Sequence, residues 1–252
     1  MSGSSASDID PLEFRYRFEF TGGKVSEYIV RLNERTLELI SEKKPDLPEW
    51  TRLQYRQCPN CPLTPDEYPH CPVAANIAHV VEEHKNTPST TNADIKILTA
   101  TRRFAKHAPI SDGLSAMLGL QMVASGCPIL DKFRPMARTH LPFATHEETM
   151  YRILSMYLLA QYFQKQNGEE SDWELDGLAS LLAEIRDVNR SFCDRLKEVC
   201  KKDAILNAMV LLDCYAGITS LELKSRELPR IRNIFDAFLD PRVKPAKLKG
   251  ST

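Results

Sequence analysis

The chain has 252 residues, 42% hydrophobic and 27% charged, the balance of an ordinary globular fold with a sizeable core. A formal charge of −1 gives no electrostatic case for a nucleic acid or an anionic membrane as obligatory partner. No segment approaches the roughly 18 apolar residues that span a bilayer, and the N-terminus lacks the basic start and apolar stretch of a secretory signal. A cytoplasmic setting that keeps thiols reduced is therefore expected, and the odd count of seven cysteines argues against a full disulfide framework.

Residues 1–10 are small and polar and read as a disordered tail. Residues 11–240 are expected to form a single α+β domain. Within it, 11–110 carry an antiparallel sheet of three to four strands and 111–240 a helical bundle. Phe14, Tyr16, Phe18 and Phe20 alternate with Arg15, Arg17 and Glu19, the period of a half-buried strand. Gly22-Gly23 supplies a hairpin turn into a second strand over 25–32. A third short strand is expected over 36–40, and a fourth over 94–101. Arg102-Arg103 with Lys106 and His107 then reads as a solvated strand end.

Residues 41–72 change character, with prolines at 45, 48, 59, 62, 65, 69 and 72 that forbid a continuous helix. A helix begins at Pro72, which suits a first turn. A second, capped by Ser111 or Asp112, closes at Ser125-Gly126 and presents Cys127. Thr145-His146-Glu147-Glu148 and Ser171-Asp172-Trp173-Glu174 both match the capping box that opens a helix. Asp203 caps another, a shorter helix is expected over 226–239, and 241–252 forms a basic flexible tail.

The chemistry sits in the proline-rich stretch. Cys58, Cys61, Cys71 and Cys127 each stand directly before a proline. With 16 prolines in the chain, chance would give about half of one such pair. Their spacing, C-x2-C-x9-C-x55-C, lets two sulfurs reach one metal from a tight turn while two distant ligands complete a tetrahedron. Proline after the ligand fixes the backbone and removes an N–H. Zinc ribbons commonly have glycine where Pro62 stands, whereas cysteine followed by proline recurs in iron–sulfur proteins. A [4Fe–4S] cluster is thus favoured, with structural zinc the alternative. Burial as small hydrophobes suits Cys193, Cys200 and Cys214, which lie in apolar helices, but not thiols in proline-broken loops.

A second constellation is Arg138, His140, His146 and Glu147, where titratable groups lead into a helix N-terminus that favours anions. The function expected from these patterns is a metal-centre protein with a structural or redox-sensing role. The alternatives are an enzyme that uses the centre with Arg138, His140, His146 and Glu147 on a small anionic substrate, and a protein-interaction module with purely structural zinc. A protein partner fits the third reading.

Overall fold

The computed structural model describes residues 10–41, 46–226 and 228–242. The polar tail read over 1–10 and the basic tail over 241–252 lie almost wholly outside those residues.

Strands β1 (Leu12–Phe20) and β2 (Val25–Leu32) form the hairpin that the aromatic alternation predicts, with Tyr16 opposite Tyr28. The turn needs positive φ, and Gly22 (+97°) and Gly23 (+86°) provide it. Strand β3 (Asn92–Leu98) pairs with the other side of β1, and β4 (Arg103–Pro109) pairs with β3, giving an antiparallel order β2-β1-β3-β4.

The last strand is the surprise. The segment 36–40 makes only an isolated bridge, Leu32 to Leu39, because Asn33 Oδ1 draws the N–H groups of Arg35 and Thr36 into a turn and Leu37 adopts φ +59°. The fourth strand is instead the stretch read as a basic strand end.

Tyr16, Phe18, Val30, Ile95 and Ile97 are fully buried on one face of the sheet. The opposite face carries an ion-pair lattice: Glu13 holds Arg15 and Arg31, and Glu19 holds Arg17 and Lys96. Such exposed pairs are each worth well under about 1 kcal/mol, so the sheet is held by its inner face.

Helices α1 (Pro72–His84) and α2 (Ile110–Val123) cover that inner face. Gly113 of α2 lies against it, where a Cβ would come within 2.6 Å of Phe18 Cε1 and 2.9 Å of Ile95 Cγ2. Gly113→Ala is therefore expected to destabilise the protein by about 1–3 kcal/mol, although alanine is the better helix former. A urea midpoint at or above wild type would refute that close fit. Asp112 does not cap α2; its carboxylate pairs with Lys106 at 2.7 Å, and Pro109 holds the cap position.

A 3-10 segment (Leu130–Thr139) leads to α3 (His146–Gln166), α4 (Asp176–Lys197) and α5 (Ala204–Ser225). The capping box of Thr145 and Glu148 forms with both of its bonds, 3.2 and 2.7 Å. The box read at 171–174 does not form. Asp172 instead accepts from Gly177 N–H and from the Tyr157 hydroxyl, and Leu175 turns into α4 at φ +66°. Asp203 likewise accepts from Ser89 rather than capping α5 with its side chain. The helix expected over 226–239 is broken into α6 (Pro229–Arg232) and α7 (Asp236–Leu239).

Helix α5 corrects the expectation that no stretch is long and apolar enough to span a bilayer. Its most apolar 18-residue window has a mean hydropathy of 1.6. It packs against α2 and α4, which accounts for the buried part of its apolar sequence, while Val210 and Leu221 remain exposed. The buried side chains of sheet and helices join in one hydrophobic cluster, and the architecture is α+β.

Candidate metal centre

The stretch 46–72 has little regular structure, yet its backbone is firmly held. Trp50 and Leu53 are buried beneath it, Cys71 N–H donates to Thr51 O at 2.8 Å, and Leu53 N–H to Pro69 O at 3.1 Å. The principal clamp comes from α4. Arg195, 1% exposed, donates to the carbonyls of Trp50 (2.8 Å), Arg52 (2.9 Å) and Leu53 (3.3 Å). Its guanidinium lies over the rings of Phe192 and Tyr55. Prolines leave this loop short of donors, and the arginine fork supplies them.

Around this clamp the four cysteines arrive from three directions. Cys58 and Cys61 flank a tight turn closed by Cys61 N–H to Cys58 O at 3.0 Å. Cys71 stands at the cap of α1, and Cys127 follows the positive-φ Gly126 (+88°) just before the 3-10 segment. Cys71 and Cys127 are buried, whereas Cys58 and Cys61 are partly exposed.

The four sulfurs share one electrostatic neighbourhood. Cys58 feels the charge of Cys71, Cys61 and Cys127, and Cys127 feels Cys71 and Cys61. Burial pushes the Cys58 thiol up to about 11, with the neighbouring sulfurs adding to the rise and the Ser191 hydroxyl opposing it. Burial also raises Cys71 and Cys127. Backbone N–H groups oppose that rise: those of Ala74 and Val73 on Cys71, and those of Leu130 and Ile129 on Cys127. Arg195 adds its positive charge beside Cys71.

The two Cys-Pro turns thus have the same construction. Proline removes the first N–H after the cysteine, and the next two amides serve the sulfur. Among the described residues, no three His, Cys, Asp or Glu side chains stand at metal-coordinating spacing.

His70, the histidine beside this set, is tied by Nδ1 to Thr51 Oγ1 at 2.7 Å. Arg195 and Ser191 escape a reading of spacing alone. The signal for Arg195 is a charged residue on the apolar stripe that runs through Leu178, Leu182, Ile185 and Phe192 of α4.

The second constellation does not converge. His140 turns inward, with Nε2 2.7 Å from the Tyr16 hydroxyl and its ring edge-on to Phe14. Arg138 turns outward to Glu34 at 3.7 Å. Glu147 pairs with Arg230 at 3.3 Å, and the His146 ring packs against that of Tyr215, its Nε2 buried without a partner among the described residues.

The chain belongs to a family described as a domain of unknown function (DUF6901), which matches residues 14–236. No curated protein and no solved structure matches the chain.

Proposed function

We propose that this family member is a metal-centre protein in which Cys58, Cys61, Cys71 and Cys127 hold a [4Fe–4S] cluster, with a structural or redox-sensing role. One observation supports the reading: four thiols from three separate segments of chain influence one another electrostatically, and Cys58, Cys61 and Cys71 also act on the buried Arg195. Cysteines kept merely as small hydrophobes need neither a shared location nor a cation.

The residues present suit such a group. Four thiolates around either Zn²⁺ or a doubly charged cluster leave two net negative charges. Arg195 offsets part of that charge, and the amides of Val73, Ala74, Ile129 and Leu130 donate to two of the sulfurs. Raised thiol pKa values mean that binding releases protons, so affinity should increase with pH. A bound cluster would supply a one-electron couple, tuned by hydrogen bonds to sulfur and by solvent access. Partly exposed Cys58 and Cys61 place the most accessible edge of the site toward solvent. Zinc in the same four sulfurs is the second reading, favoured by the tetrahedral ligand count; Pro62, in place of the usual glycine, counts against it. Either group suits a reducing compartment in which thiols persist.

Protein purified without oxygen should be brown and contain iron and acid-labile sulfide in equal, near-stoichiometric amounts. Cys58→Ser and Cys127→Ser should each remove most of both. Colourless protein with one zinc per chain would shift the assignment to a structural ion. Protein holding neither metal, or full iron in Cys127→Ser, would end the four-sulfur reading.

A further inference from the structure

A cavity of about 480 Å³ lies between α2, α3, α4, α5 and the 3-10 segment, within the range of small-molecule sites. Most of its wall is apolar, including Leu120, Phe133, Met136, Ile153 and Leu212. Its charges do not cancel. Lys106 and Asp112 neutralise one another at 2.7 Å, and burial brings His140 down to about 3, leaving it uncharged. Arg152 remains. Its Nη2 donates to Met136 O at 2.9 Å, its Nε is buried without an acceptor, and it pairs with no carboxylate among the described residues. Glu148, one turn away, offsets part of the Arg152 charge from a distance, but its carboxylate bonds the Thr145 amide rather than the guanidinium.

Two further features point to an occupant. Asn189 lines the cavity at 3% exposure, and its side-chain amide has no hydrogen bond among the described residues. At the rim, Phe143 holds φ +60°, a conformation that costs a bulky residue of order 1–3 kcal/mol, and its ring lies 5.6 Å from Lys106 Nζ. Unpaired polar groups and a strained aromatic rim around an apolar hole are poor choices for stability alone.

We propose that this cavity binds an amphipathic monocarboxylate of the fatty-acid type, its carboxylate accepting hydrogen bonds from Arg152 and its apolar body lying along Leu120, Phe133 and Leu212. One guanidinium with no carboxylate bonded to it among the described residues matches one negative charge, and no glycine-rich loop or second free cation is present among the lining residues to hold a phosphate dianion. Asn189 is available to a second polar atom of the same ligand. The site is distinct from the four-cysteine centre and does not depend on its metal.

The test titrates the purified full-length protein with cis-parinarate, a fluorescent polyene carboxylate, and displaces it with oleate or with methyl oleate. Saturable one-to-one binding is expected, with the ester weaker than the acid by about tenfold or more, the loss of a charged hydrogen bond. Arg152→Leu should remove that discrimination while retaining the ester. Ala116→Phe, which projects into the cavity from α2 with Arg152 intact, should abolish binding of both. Equal competition by acid and ester in the wild type, unchanged affinity in either variant, or no saturable binding would overturn the proposal.

Discussion

Replacing Arg195 by methionine should lower the free energy of unfolding by about 3–5 kcal/mol, because the buried carbonyls of Trp50 and Leu53 lose their donor and that of Arg52 keeps only the Tyr55 amide. Arg195 is the only side chain that bonds the carbonyls of Trp50, Arg52 and Leu53 among the described residues. The prolines around them leave few backbone amides to take its place. Methionine retains apolar contact with Phe192 and Tyr55, so the loss isolates the polar clamp rather than a cavity. Arg195→Lys should recover part of the effect, since an ammonium supplies charge and donors without the planar fork. If the proposed cluster is present, iron per chain should fall in the methionine variant and recover in the lysine one. A urea midpoint for Arg195→Met within about 1 kcal/mol of wild type would show that the loop holds itself without the arginine.

Acid should weaken the fold well before its carboxylates titrate. His84 is fully buried, with Nε2 2.7 Å from the Tyr28 hydroxyl and Nδ1 without a partner among the described residues. Tyr28 gives its single proton to Glu83, so neutral His84 donates from Nε2, and a second proton on Nδ1 would find no acceptor. Burial accordingly lowers His84 to about 4, and the Glu83 carboxylate opposes this only in part. Burial lowers His140 to about 3, with the Arg152 charge adding to the effect.

In the unfolded chain both titrate near 6.5. Between 6.5 and the folded values the unfolded state binds protons that the native state refuses. The stabilisation is therefore complete above pH 6.5 and is lost as pH falls toward 4 and 3. By pH 5 each histidine should have removed about 2 kcal/mol. Urea unfolding at pH 7 and pH 5 measures the drop, and His84→Gln should reduce it by about half. A flat profile over that interval would mean that protonated imidazoles are accommodated.

The sequence announces those elements whose pattern is local. The hairpin of β1 and β2 is legible because Tyr16 and Phe18 alternate with charge, and its turn requires glycine. The first capping box is legible because both of its partners lie within four residues. Strand β4 is not, since Lys106 falls on the inner side of the ladder opposite Ile95, which breaks the alternation. That lysine is tolerated because β4 is an edge strand and Asp112 receives the charge. The second capping box fails because Asp172 has better partners in Gly177 and in Tyr157 of the preceding helix. The four cysteines could be read as a set from their shared proline. Arg195 and Arg152 could not be placed, because each acquires its meaning from carbonyls or walls far away in the chain.

Cys71 is also the residue from which α1 departs, and the far end of that helix is His84, locked against Tyr28 of β2. Thirteen helical residues make a hydrogen-bonded rod about 20 Å long, stiff along its axis. Any displacement of Cys71 along that axis would therefore bear on the Tyr28–His84 contact at the other end. The imidazole–phenol pair sits at the tip of that strut like the needle of a gauge, in the part of the molecule farthest along the rod from the thiols.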